Sequence, residues 1–319
     1  MPQITIRSLI EYAGVRLRRA RLTFGHGVAD AWDEAAYIVL HVTSLSPEEL
    51  GSNFERSVTA RERKRVMALV AQRIRRRIPL AYLLREARVG EYLFYVDERA
   101  IVPRSYIAEL LAERLAPWLP PRRRIRRALD LCTGSGCLAI ILAETFRSAT
   151  IDAVDIDRGA LAVARRNVAS YRMGRRIRLL RSDMFSAVAG ERYDVIIANP
   201  PYVSAATMNK LPREYRHEPV MALASGTDGL DAVRAILRDA ANHLTDKGLL
   251  VVEVGHHRAR VEAAFPHYAF VWPETSGGDD CVFMLERAEL LRAAASALLR
   301  RQAPVRHRAS RSNALSRPR

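Results

Sequence analysis

The first 78 residues and the stretch from residue 125 onward carry different patterns. In "WDEAAYIVLHVTSL" and "ARERKRVMALVAQRIRRRI" apolar residues fall three and four apart, with charges on the opposite face. That is amphipathic-helix spacing, so a small helical bundle is expected over residues 1–78. Ser46-Pro47 should open a further short helix by cap-then-proline order. In "REARVGEYLFYVDERAIVPRS" short, partly alternating runs flank Gly90, which predicts a β-hairpin connector over 79–104. "IAELLAERLAPWL" then reads as a helix leading into Pro120-Pro121 and a basic linker. Beyond it, "RRALDL", "ATIDAVD", "IRLLRSD", "YDVIIAN" and "GLLVVEVG" are short apolar runs separated by segments of helical length. Such alternation predicts an α/β fold over 105–290, a Rossmann-like parallel sheet with helices on both faces. "AFVWP" and "DCVFMLE", parted by a short polar loop at Ser276 to Asp279, should form an antiparallel hairpin at the sheet edge.

Composition narrows the class. The chain has 319 residues, 49% of them hydrophobic, enough for one large core or two smaller ones. It holds no run of about 18 apolar residues, so no membrane span is expected. The start, "MPQITIRSLIEYAGVRLRRA", reads as an amphipathic helix rather than a signal peptide, and a cytoplasmic location is the expectation. Cys132, Cys137 and Cys281 make neither a metal-ligand nor a disulfide spacing, so no metal is expected. The formal charge is +16, mostly through arginine. Residues 291–319, ending "RHRASRSNALSRPR", lack hydrophobic periodicity and read as a fraying helix and a disordered basic tail. Such a tail is either simply solvated or drawn to RNA by counterion release.

"ALDLCTGSGCLAIILAE" reads as a buried strand, a tight turn and a helix. Gly134 and Gly136 let the backbone turn sharply, and the helix start offers free amide hydrogens. Asp155, twenty-one residues after Gly134, ends the next strand, where a carboxylate takes both hydroxyls of a ribose. Gly134-x-Gly136-x-x-Ala139 alone would also suit a nicotinamide dinucleotide. Asp130 decides against that. It sits four residues before Gly134 and should look toward the turn, where like charges about 4 Å apart repel by roughly 4 kcal/mol at a dielectric near 20. A pyrophosphate is disfavoured; a ligand with an ammonium and a sulfonium is welcomed. S-adenosylmethionine is such a ligand. Thr133, Gly134, Ser135 and Gly136 would form its cradle, Asp155 with Ile156 its ribose end, and Asp183 with Met184 its adenine end, with Asn199 at the end of the fourth strand also in contact with it.

A fourth strand ends in "IIANPPYVSA", at Asn199, because Pro200 and Pro201 cannot donate to a sheet. Ligands of open α/β sheets bind at this carboxyl edge. The side-chain oxygen of Asn199 and the carbonyl of Pro200 form two acceptors fixed by proline rings, and Tyr202 can stack on a planar group. They suit a neutral planar amino group, a carboxamide or the exocyclic amine of a base, whose nitrogen would be aimed at the methyl. Asn199, Pro200 and Tyr202 are therefore the catalytic candidates.

Asp130 to Gly136, Asp155, Asp183 and "NPPY" together resemble the class I S-adenosylmethionine-dependent methyltransferases that modify amino groups. With the helical front and the hairpin, the chain is similar to the HemK-like protein-glutamine N5-methyltransferases. "FGHGVADAWDEAAYIVLH" (24–41), "FYVDERAIVPRS" (94–105), "LDLCTGSGCLAI" (129–140) and "LPREYRHEPVMALASGTDGLD" (211–231) resemble the branch acting on large-subunit ribosomal protein number three. The likeness runs from about residue 20 to 290. The release-factor branch reads "PRPETE" where this chain has "PRSYIAE" from Pro103, and many members of the ribosomal branch have proline in place of Tyr106. The resemblance implies methylation of a glutamine amide nitrogen on that ribosomal protein, with Asn199, Pro200, Pro201 and Tyr202 holding the amide.

His217 and Glu218 follow "NPPY" by about fifteen residues and are candidates for the substrate side. His26, between glycines in "FGHG", suits a structural histidine or a contact to the protein substrate, and Arg104 orients the connector. His256-His257 have no acidic or cysteine partner close by in the sequence. Rival readings are an adenine-N6 nucleic-acid methyltransferase, a release-factor glutamine methyltransferase, and a non-catalytic ribosome-assembly factor. The first usually needs a base-flipping pocket and a target-recognition segment, and no inserted domain of that kind is visible in the sequence.

Overall fold

The computed structural model describes residues 4–302. Its first third is helical: α1 (Ile6–Arg19), α2 (Ala31–Thr43), α3 (Ala60–Arg76) and the short α4 (Leu80–Leu84). Side-chain caps set the starts. Asp30 accepts from the amides of Trp32 and Asp33, and Thr59 closes a capping box with Glu62. The apolar stripes of α1–α3 meet in one core that includes Leu9, Ile10, Leu17, Ile38, Val66 and Val70. Ser46-Pro47 opens only single 3-10 turns, Pro47–Glu49 and Gly51–Asn53, rather than the expected helix. α4 lies beyond residue 78: Leu80 joins the helical core, while Ala81 and Tyr82 pack with Val96 and Val102 of the connector.

The connector holds a small hairpin, β1 (Ala87–Val89) and β2 (Tyr92–Phe94), turning at Gly90. α5 (Ile107–Ala112) is half the helix expected from "IAELLAERLAPWL". Arg114 and Leu115 take left-handed backbone angles there, and Pro117 cannot continue the ladder.

β3 (Arg127–Leu131), α6 (Cys137–Thr145), β4 (Thr150–Asp155), α7 (Arg158–Ser170), β5 (Ile177–Arg181) and β6 (Tyr193–Ala198) follow in alternation. Then come the single turns α8 (Ala205–Met208) and α9 (Val220–Leu223), α10 (Asp231–His243), β7 (Leu244–Glu253), α11 (Arg258–Ala264), β8 (Val282–Glu286) and α12 (Arg287–Gln302). The sheet order is β5-β4-β3-β6-β7-β8, with β8 antiparallel and the rest parallel. At the edge, "AFVWP" contributes one antiparallel bridge, Val271 to Met284, with both of its hydrogen bonds made. α5 and α6 cover one face through residues such as Ile107, Leu111, Leu138 and Leu142; α10, α11 and α12 cover the other through Val233, Ile236, Val261 and Leu290. The chain leaves β3 toward β4 on one side, and β6 lies on the other. The sheet's switch point therefore falls between β3 and β6, where Leu131 pairs with Ala198. The basic tail expected at the end begins within α12, and its residues 303–319 lie outside the described residues.

Candidate active site

A cavity of about 630 Å³ opens at that switch point, a volume suited to a cofactor-sized molecule. One half is walled by Cys132, Gly134, Asp155, Ile156, Asp183 and Met184, the other by Asn199, Pro200, Pro201, Tyr202, Tyr215 and Met221. The connector closes it with Arg99, Ile101 and Arg104.

The glycine half is built on hydrogen bonds. Gly134 and Gly136 both have positive φ, and a Cβ on Gly136 would sit 3.1 Å from that of Ala164 on α7. The Asp155 carboxylate accepts from the amides of Gly134 (2.8 Å) and Asp157 (2.9 Å), which fixes it at the cavity wall. Burial lifts its pKa above the usual carboxylate range. Asp130, Thr133, Ser135 and Gly136 lie behind this wall rather than on it. Asp130 is fully buried. One of its oxygens accepts from Thr133 Oγ1 at 2.5 Å, and the other, Oδ1, has no partner among the described residues. Burial pushes its pKa up to about 7. An orphaned, buried carboxylate oxygen behind the glycine turn is what a cationic amine would satisfy, so these residues fit S-adenosylmethionine.

In the proline half, Asn199 Nδ2 donates to the backbone carbonyl of Arg104 at 3.2 Å. That bond sets the amide's orientation and leaves Oδ1 as the end it does not hold, on a residue of the cavity wall. Tyr202 is half-buried with its ring edge-on to His257, and burial raises its pKa well above the ordinary phenol value. It therefore remains protonated.

Of the substrate-side candidates, neither His217 nor Glu218 lines the cavity. Both Glu218 oxygens bind the Arg104 guanidinium, at 2.6 and 2.8 Å, and one also accepts from the Val102 amide. Burial alone would raise its pKa, but Arg104 outweighs that and holds it below the usual range. Glu218 therefore positions Arg104, and through it the Asn199 amide. His26 is buried against Tyr215 with ring centroids 4.4 Å apart, and burial lowers its pKa to about 4, so the imidazole is neutral. Sequence reasoning missed the Arg104 carbonyl, since nothing local links position 104 to position 199. The lack of partners near His256 also needs correcting: the loop before β8 brings Asp280 and Cys281 against it.

The sheet order, the glycine turn at the carboxyl edge of β3 and the Asn-Pro-Pro-Tyr corner beside it define a class I S-adenosylmethionine-dependent methyltransferase. Residues 108–215 match the model of the methyltransferase small domain, and residues 16–84 that of the PrmC N-terminal domain. Ribosomal protein uL3 glutamine methyltransferase of Bordetella pertussis is 50% identical over 286 residues, covering 90% of this chain and 96% of that protein. The same-named protein of Neisseria meningitidis serogroup B is 49% identical, covering 90% and 94%. A solved methyltransferase from Pyrococcus furiosus superposes with a TM-score of 0.45 at 17% identity, covering 61% of this chain and 88% of that one. The chain belongs to the family of ribosomal protein uL3 glutamine methyltransferases.

Proposed function

We propose that the protein transfers a methyl group from S-adenosylmethionine to the side-chain amide nitrogen of a glutamine in ribosomal protein uL3. The observation that carries this reading is the orientation of Asn199. Its amide nitrogen is held by the Arg104 carbonyl, which leaves its oxygen as the acceptor to offer, and Asn199 lines the same cavity as Gly134.

When bound, S-adenosylmethionine supplies an electrophilic methyl that needs no further activation. Asp155 and Ile156 would hold its ribose end, Asp183 and Met184 its adenine end, and the turn Thr133–Gly136 with Asp130 its amino-acid end. Asn199 Oδ1 and the Pro200 carbonyl would accept the two hydrogens of the incoming carboxamide, which turns its nitrogen lone pair toward the methyl. Both acceptors also stabilise the positive charge that grows on the nitrogen. Tyr202 and Pro201 wall the amide from water. No side chain need take a proton before transfer, in keeping with a protonated Tyr202 and a Glu218 engaged by Arg104, and the extra proton on the methylated nitrogen would pass to solvent as the product leaves.

The helical front with the connector, residues 1–104, would recognise the protein substrate, and residues 105–290 would carry the chemistry. The exposed arginines Arg16, Arg18, Arg19, Arg75 and Arg76 on α1 and α3 support a contact with ribosomal RNA of an assembling large subunit, and so a cytoplasmic site of action. Among the described residues no helix is long and apolar enough to cross a membrane.

Labelled-methyl transfer to purified uL3, compared with release factor, RNA and DNA, tests the assignment. Label is expected on uL3 and on a glutamine within it. Label on nucleic acid alone would replace this reading with that of a base methyltransferase.

A further inference from the structure

Outside the cleft, the loop after β7 and the segment entering β8 bring three side chains of different chemistry together. His256 Nδ1 lies 2.9 Å from Asp280 Oδ1. Cys281 Sγ lies 3.5 Å from that same nitrogen and 3.3 Å from that same oxygen. A nucleophile relay would address the two ring nitrogens separately, one toward the thiol and one toward the carboxylate. Here both neighbours face Nδ1, so the three atoms converge instead of forming a chain.

The two sulfur edges of this triangle, 3.5 and 3.3 Å, come close to those of a tetrahedron of donors with bonds of about 2.0–2.3 Å, and the 2.9 Å nitrogen–oxygen edge would open by a few tenths of an ångström as an ion replaces the hydrogen bond. Burial is graded across it. Cys281 is fully buried, while the Asp280 and His256 side chains are 38% and 65% exposed. An ion can enter from solvent, meet sulfur at the floor, and keep a fourth position outward. Arg258, the nearest cation along the chain, is already paired with Asp279 and Glu262. A thiolate, an imidazole and a carboxylate suit zinc, whereas magnesium and calcium take oxygen ligands in larger sets.

We propose that His256, Asp280 and Cys281 form a zinc site, completed by water or an outside donor. The thiol proton passes to solvent as the sulfur–zinc bond forms. The site ties the loop after β7 to β8 beside the catalytic cleft, because His257 meets the Tyr202 ring edge-on at 6.1 Å and a Cβ on Gly255 would lie 3.0 Å from that ring.

Cobalt(II) titrated into the full-length protein reports the thiolate directly through its near-ultraviolet charge-transfer band. One equivalent should bind, and zinc should displace it. Cys281→Ser should remove the band, and Cys132→Ser and Cys137→Ser should keep it. His256→Ala and Asp280→Asn, both at exposed side chains, should weaken zinc by more than the about 10–100-fold that loss of a supporting contact costs. Zinc should raise the melting temperature of the wild type and not of His256→Ala. A band that survives Cys281→Ser, or zinc affinity unchanged in His256→Ala, would overturn the proposal, as would the absence of any band in the wild type.

Discussion

Asn199 reaches the cleft with one end of its amide committed, and that asymmetry makes it an acceptor. Replacing it with alanine removes one of two oxygens facing the carboxamide but touches nothing that grips the cofactor. Transfer by Asn199→Ala is expected to fall by about 10²–10³-fold, the cost of losing one preorganised polar contact to developing charge. Affinity for S-adenosylmethionine, read by calorimetry, should stay within about twofold of wild type; a matching loss there would move Asn199 from substrate to cofactor. Asp130 makes the complementary case. Burial raises its pKa to about 7, so without ligand it is largely protonated below neutrality. Holding an ammonium requires the carboxylate, so a proton must leave on binding whenever the pH is below about 7. The dissociation constant should rise about tenfold per pH unit as the pH drops from 7 to 5 and should level off above 7. In Asp130→Asn that slope should disappear. A wild-type affinity independent of pH across this range would show that Asp130 does not meet the amine.

The turn after β6 is held from outside as well as by its own prolines. Gly229, just before α10, has φ +85°, and a Cβ there would come 2.4 Å from the Tyr202 carbonyl oxygen. Gly229→Ala thus combines backbone strain of about 1–3 kcal/mol with a clash that pushes the Asn-Pro-Pro-Tyr turn out of place. Gly27 is the matching control, with φ +86° and nothing among the described residues within 4 Å of a Cβ placed there. Gly27→Ala should lower the melting temperature and leave turnover near wild type, while Gly229→Ala should lower both; equal turnover in the two would free the turn of this constraint. What was legible in the sequence follows the same division. The strands, the glycine turn and the Asn199 corner are local signals, written as apolar runs stopped by glycine or proline, and they read directly. The early end of α5 was hidden because "IAELLAERL" keeps helical spacing through Arg114 and Leu115, where the fold imposes left-handed angles. The carbonyl that orients Asn199 lies 95 residues away, and the acids paired with Arg77 and Arg104, Glu214 and Glu218, come from "EYRHEP". No periodicity encodes such long-range polar pairing.

At the scale of the molecule, the segment 211–219 stands between the helical front and the cleft. On one side Leu211, Tyr215 and Pro219 wall the cavity. On the other, buried Glu214 accepts from the Thr23 amide at 3.1 Å and pairs with Arg77 at 2.8 Å and Arg73 at 3.7 Å. Arg73 is itself buried and bound to Glu34 at 2.7 Å. Glu214 is thus the anion through which the front domain grips the active-site wall, and its pKa lies below the usual range despite burial, held by the Thr23 amide and the two arginines. Glu214→Gln keeps the shape and removes the charge, which leaves cations at a buried interface with one anion fewer. Breaking such a pair costs on the order of 3–5 kcal/mol. Because the glycine half of the cavity does not touch this contact, the loss should be selective. KM for the ribosomal protein is expected to rise and the front helices to exchange amide hydrogens faster, while S-adenosylmethionine affinity is unchanged. Exchange protection lost equally in α6 and α7 would instead mean that the whole chain unfolds as one unit, and the front would then not act as a separately docked recognition element.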